Sequence, residues 1–160
     1  MTALPSLQKY LFGASVFLVA DRIGGFADWD TSYGEAAPLM SWPEILEIAG
    51  EGIELGCHSL THLPMTEMDY SDLLRDTRQA RKILEFGLGR SITHFAYPYG
   101  AENEIVRSVI AALGFRSGVS CRLGLARFGD EIPSLPRIEV PGSCTPEELI
   151  VLIDDCRKEF

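Results

Sequence analysis

An alternation constrains the fold most. Ser15 to Val19, Ile53 to Cys57, Thr93 to Tyr97 and Ser117 to Ser120 are short apolar runs of strand length. All are too short to be helices of their own, and the first is too β-branched for one as well. Helical stretches with readable ends lie between them. Ala3 to Leu11 reads as a short amphipathic helix stopped by Gly13. Ser41 is predicted to cap a helix to about Gly50, with Glu44 completing a capping box. Thr66 is predicted to cap the longest helix, which runs to about Phe86, where Gly87 and Gly89 stop it. Glu102 to Leu113 forms another helix, ended by Gly114. Pro136 to Val140 is expected as a fifth strand. The stretch "TPEEL" opens the last helix, with Thr145 as cap, Pro146 in its first turn and Glu148 closing the box. Strands alternating with helices make parallel β-α units, so the fold class is α/β, either an open doubly wound sheet or a barrel.

The 160 residues suffice for one hydrophobic core and are too few for two, so residues 1–160 read as a single domain. With 46% hydrophobic and 23% charged residues the chain is globular rather than disordered. A net charge of −9 with no basic run repels phosphate backbones, which excludes nucleic acid and suits a neutral or cationic substrate. No run approaches the roughly 20 apolar residues of a membrane span. No basic segment precedes an apolar stretch at the N-terminus, so no signal peptide is visible and the chain reads as cytoplasmic as written. Cys57, Cys121, Cys144 and Cys156 are widely spaced, and reduced, mostly buried thiols are expected.

In parallel β/α folds, chemistry gathers at the C-terminal ends of the strands. That rule selects Asp21 after the first run, His58 and His62 after the second, and Tyr97-Pro98-Tyr99-Gly100 after the third. The Gly-rich stretch from Asp21 to Pro38 reads as a long loop, a common place for function. His58 and His62 stand four apart, and neutral imidazole suits zinc and its first-row neighbours. The spacing alone is shared with ordinary helices. Its position after a buried strand, with Ser59 and Thr61 between, is what points to a divalent metal. His94, at the start of a strand, reads as structural.

"GCHSLTHLPMTEM" followed by "FAYPYGAEN" resembles the polysaccharide deacetylases, the NodB-homology group of carbohydrate esterase family four. Their H-[ST]-x-x-H motif is matched by His58, Ser59 and His62, and their Y-P-x-G motif by Tyr97, Pro98, Tyr99 and Gly100. "LPRIEV", Leu135 to Val140, is similar to the arginine-bearing fourth motif, and "ALPSLQKYLFGASVFLV" to the first helix and second strand. The resemblance implies a truncated, irregular (β/α) barrel of the deacetylase type. It implies metal-dependent hydrolysis of the acetamide of an acetylated amino-sugar polymer, a carbon–nitrogen bond outside peptides. It also implies His58 and His62 as ligands of a divalent metal, usually zinc, the Tyr99 amide as oxyanion donor, and Arg137 as orienter of the base. Trp29, Tyr97 and Tyr99 then offer aromatic faces to a pyranose ring, with Pro98 between the two tyrosines. Trp42, in a first helical turn, reads as packing.

The sequence departs from the family pattern in three places. The T-F-D-D-G motif that supplies the general base and the third metal ligand falls, by spacing, before Met1. The chain is therefore expected to lack the first strand and to be inactive as written, unless Asp21, Asp28 or Asp30 substitutes. Ala96 stands where many members carry an arginine, and no late L-x-H motif is found. A missing strand exposes the edge of the next one, from which a homodimer is expected. Two other readings stay open: a non-catalytic module that binds carbohydrate or a partner, and a hydrolase of small cyclic amides or ureides on the same fold.

Overall fold

The computed structural model describes residues 3–29 and 34–158. In chain order its elements are α1 (Leu4–Lys9), β1 (Ser15–Leu18), β2 (Phe26–Ala27), β3 (Ala37–Pro38), α2 (Trp42–Gly50) and β4 (Glu54–Cys57). Then come α3 (Tyr70–Leu88), β5 (His94–Ala96), α4 (Glu104–Ala112), β6 (Ser117–Leu123), β7 (Leu135–Arg137) and α5 (Pro146–Lys158). β1, β4, β5, β6 and β7 form one parallel sheet in that order. Doubly wound sheets reverse their strand order at a switch point. Here the spatial order follows the chain order throughout, as it does around a (β/α) barrel, and the described strands form an open arc. β1 lies at one edge of it.

The core fills the space between this arc and the helices. Ile45 and Ile48 of α2, Leu73, Ala80 and Leu84 of α3, and Val106, Val109 and Ile110 of α4 pack against Leu55, Cys57 and Phe95. Phe95 also meets Tyr97 and Phe115, with ring centroids 5.3 and 5.2 Å apart. Gly118 of β6 passes beneath this cluster. A Cβ there would lie 2.2 Å from the Pro133 carbonyl oxygen and 2.7 Å from the Tyr97 hydroxyl.

Both predicted capping boxes are present: Ser41 with Glu44, and Thr145 with Glu148. The start of α3 differs from expectation. Residues Met65–Glu67 form a 3-10 turn that buries Met65, Thr66 is exposed, and the Asp69 carboxylate caps the helix by accepting the Asp72 N–H at 2.8 Å. Burial of Met65 fixes the turn first, and the cap passes to the next competent side chain. Gly87 does not stop α3. It lies under the Trp42 ring, where a Cβ would meet ring carbon at 2.2 Å, and the helix ends at Leu88 with Gly89 left-handed. The last strand is Leu135–Arg137 rather than 136–140, because pairing with β6 through Val119↔Leu135 and Leu123↔Arg137 sets its register. Within the long loop, β2 and β3 pair antiparallel.

At the opposite end of the sheet, the first residues of four strands are linked side chain to side chain. The Ser15 hydroxyl donates to Glu54 at 2.6 Å, the other Glu54 oxygen meets His94 Nε2 at 3.1 Å, and His94 Nδ1 meets the Ser117 hydroxyl at 2.7 Å. Among the thiols only Cys57 and Cys156 are buried; Cys144 is half-buried and Cys121 exposed, and all four are free. The predominantly buried set expected from composition is therefore half right, because β6 and the segment before α5 reach the surface. No helix among the described residues is long and apolar enough to cross a membrane.

Candidate active site

The loop after β4 is sewn to the end of β1. The His58 amide donates to the Leu18 carbonyl (2.8 Å), and the amides of Ala20 and Asp21 donate to the carbonyls of Ser59 (3.1 Å) and Leu60 (3.0 Å). Inside the loop, the His62 amide donates to the fully buried Ser59 hydroxyl at 2.9 Å. Ser59 (φ 64°) and His62 (φ 63°) are both left-handed. Among the described residues, the non-glycine positions with positive φ are Leu11, Ser59, His62 and Tyr99. All but Leu11 belong to this site, and each such conformation costs on the order of 1–3 kcal/mol that the surrounding ties must offset.

The strained loop folds the two histidines toward each other, with their Nε2 atoms 3.2 Å apart. His58 Nδ1 lies 2.7 Å from the Ala96 carbonyl, which can only accept, so this nitrogen carries the proton and Nε2 carries a lone pair. Burial lowers the His58 pKa; the Ala96 carbonyl pulls the other way, and the Arg137 charge lowers it further. Burial and the neighbouring His58 push His62 down to about 4. Both rings are thus neutral near pH 7, the form in which imidazole binds a metal. The separation of the two nitrogens would let His58 and His62 hold one divalent cation together. The buried His62 Nδ1 has no partner among the described residues.

Aromatic rings enclose His62. Trp29 stacks on it with centroids 4.2 Å apart and planes at 21°, and Tyr99 meets it edge-on at 4.8 Å. Tyr99 is left-handed (φ 56°) in the turn after β5, and the residue is 53% exposed. At the end of β7, Arg137 donates from Nε to the Ser120 carbonyl at 2.8 Å. A cavity of about 200 Å³ beside β1 has both Trp29 and His58 in its wall.

The structure therefore brings together His58, His62, Trp29 and Tyr99, with the Arg137 charge acting on His58. Tyr97 and Pro98 go elsewhere. Both are fully buried, and the Tyr97 hydroxyl donates to the Pro133 carbonyl at 2.6 Å, so neither offers a face to a sugar. The Pro133 carbonyl anchors Tyr97 in the core, and the left-handed turn at Tyr99 leaves that residue on the surface. Among the carboxylates expected to complete the pair, Asp21 is exposed and Asp28 faces Arg22 at 3.5 Å; Asp30 lies outside the described residues. Among the described residues no three His, Cys, Asp or Glu side chains cluster around one point.

One residue of this region was not singled out from the sequence. Asp76, a buried carboxylate on α3, accepts the Leu60 N–H and the Thr61 hydroxyl, each at 3.0 Å. Burial raises its pKa and these donors oppose the rise. The available signal was its place on the apolar stripe Leu73-Asp76-Thr77-Ala80-Leu84, where an acid is out of pattern.

The division between the two tyrosines has a direct check. Tyr97→Phe should lower stability by about 1 kcal/mol through the lost hydroxyl bond and leave oligosaccharide affinity unchanged. Tyr99→Ala should weaken oligosaccharide binding and leave the melting temperature near wild type. Thermal unfolding and a binding titration on both variants separate the roles.

A family model described as polysaccharide deacetylase matches residues 1–118. Several solved structures share the fold. The Streptococcus pyogenes deacetylase PplD, solved in complex with acetate, is 23% identical with a TM-score of 0.79, over 94% of this chain and 63% of that one. IcaB from Ammonifex degensii is 22% identical with a TM-score of 0.71, over 94% and 65%. BC0361, a polysaccharide deacetylase from Bacillus cereus, is 19% identical with a TM-score of 0.75, over 94% and 46%. This chain thus spans less than two thirds of each of these structures. No curated protein matches it. With the family model covering most of the sequence, and a histidine pair and strand-end tyrosine turn on one face of the arc, the chain belongs to the polysaccharide deacetylase family.

Proposed function

We propose that this chain carries the histidine pair of a metal-dependent deacetylase site acting on acetylated amino sugars. The observation that carries the reading is the approach of the two Nε2 atoms to 3.2 Å, with His58 Nδ1 anchored on Ala96. Two neutral, convergent imidazoles fit two corners of a divalent cation, zinc by preference. A cation held there supplies Lewis-acid polarisation of an acetyl carbonyl and of a water.

The chain's own residues define the rest. The Ala96 carbonyl fixes the His58 tautomer, so Nε2 always faces inward. Trp29 and Tyr99 bracket His62 and hold its ring in one orientation. The half-exposed Tyr99 ring is the surface for a pyranose face, and the peptide N–H of Tyr99 is the candidate donor to a developing oxyanion. Arg137, tied to the Ser120 carbonyl, brings positive charge to a site in a chain of net charge −9. That excess negative charge suits a product amine, which is cationic once the acetyl group leaves.

The test is acetate release from N-acetylglucosamine oligomers by the purified, zinc-supplemented protein, with cyclic amides and ureides assayed in parallel. Acetate from the oligomers supports the reading. Turnover of the cyclic substrates instead overturns the sugar assignment, and oligomer binding without turnover overturns catalysis in favour of a binding module.

A further inference from the structure

We infer that Asp76 is a positioning residue for the histidine pair: its buried carboxylate clamps the loop between His58 and His62 and so sets the separation of their Nε2 atoms. The inference rests on the metal reading of that pair. Each carboxylate oxygen takes one loop donor, Oδ1 the Leu60 N–H and Oδ2 the Thr61 hydroxyl, both at 3.0 Å. Leu60 and Thr61 are the two residues immediately before His62, the residue whose backbone is left-handed.

Three groups of ties hold this segment. The amides of Ala20 and Asp21 pull its carbonyls toward β1. The Ser59 hydroxyl closes it internally on the His62 amide. Asp76 pulls it toward α3 from the other side. Only the last of these is a charged acceptor, and charge-assisted bonds are the stronger kind. Among the described residues no cation pairs with Asp76, so its charge is met by the loop itself. With one side of the loop released, Ser59 and His62 can leave the left-handed region, which no glycine supports here, and the His62 ring turns away from His58. Asp76 reaches neither imidazole in its bonding, so it acts on the pair through the backbone alone.

Cobalt(II) is the probe, because its visible d–d bands report ligand geometry and its titration reports affinity. Asp76→Ala, Asp76→Asn and Thr61→Val are compared with wild type and His58→Ala, alongside thermal unfolding. Asp76→Ala should weaken cobalt binding about tenfold and alter the d–d spectrum, since supports of metal ligands typically carry that much. Asp76→Asn keeps an acceptor for Leu60 N–H and gives Thr61 an amide donor, so it should restore most of the affinity and the wild-type spectrum. Thr61→Val, a half-exposed site expected to fold normally, should fall between the two. Wild-type affinity and spectrum in Asp76→Ala, or in Thr61→Val where the first fails to fold, overturn the inference, whatever the melting temperature does. Equal cobalt binding by wild type and His58→Ala overturns instead the metal reading on which it stands.

Discussion

Replacing His58 with alanine is expected to abolish stoichiometric zinc binding, weakening it more than about hundredfold. The ring contributes one of two convergent Nε2 atoms, and its Nδ1–H is held by the Ala96 carbonyl. His62→Ala should do the same. The structural cost of His58→Ala is smaller. One hydrogen bond to Ala96 is lost, about 1 kcal/mol, or a shift of roughly 2–4 °C in melting temperature for a chain of this size. The two effects are therefore separable by metal analysis and calorimetry on the same sample. Zinc content unchanged in both variants would show that the pair is not a metal site.

The largest loss of stability is expected at a glycine remote from the histidines. Gly118→Ala places a Cβ 2.2 Å from the Pro133 oxygen and 2.7 Å from the Tyr97 hydroxyl. The Tyr97 ring is fully buried and anchored by its hydroxyl on that same Pro133 carbonyl. Pro133 belongs to the 3-10 turn Ile132–Ser134 that feeds β7, so its backbone cannot shift without moving the strand. Neither neighbour is the loose end of a flexible side chain. The substitution should cost about 3 kcal/mol or more, at the upper end of overpacking, read as a lower urea midpoint with unchanged slope. Gly142→Ala is the control, because a Cβ there meets nothing within 4 Å.

What the sequence conveyed well was whatever is encoded locally. The capping boxes at Ser41 and Thr145, the strand-length apolar runs and the histidines at a strand end all depend on residues within a turn or two of one another. What it conveyed poorly depended on distant partners. Gly87 reads as a helix stop until the Trp42 ring is placed over it. Tyr97 and Tyr99 look alike in the string Tyr-Pro-Tyr, yet only the tertiary position of Pro133 decides which of them is core. β7 took its register from β6 rather than from its own composition. The pairing of β2 with β3 was invisible because two-residue strands carry no period. Asp76 carried a readable signal, an acid on an apolar stripe, but the loop it serves lies 15 and 16 residues away in sequence.

The placement of the chain's two tryptophans, Trp29 and Trp42, makes them independent reporters. Trp42 packs over Gly87 at the end of α3, so its emission follows the melting of the domain. Trp29 stacks on His62, so its emission follows events at that imidazole, including capture of a cation. Trp42→Phe would leave a single tryptophan, stacked on the candidate metal ligand. Zinc addition to that variant then becomes a stopped-flow measurement, and loading of the site can be timed separately from the stability of the fold around it.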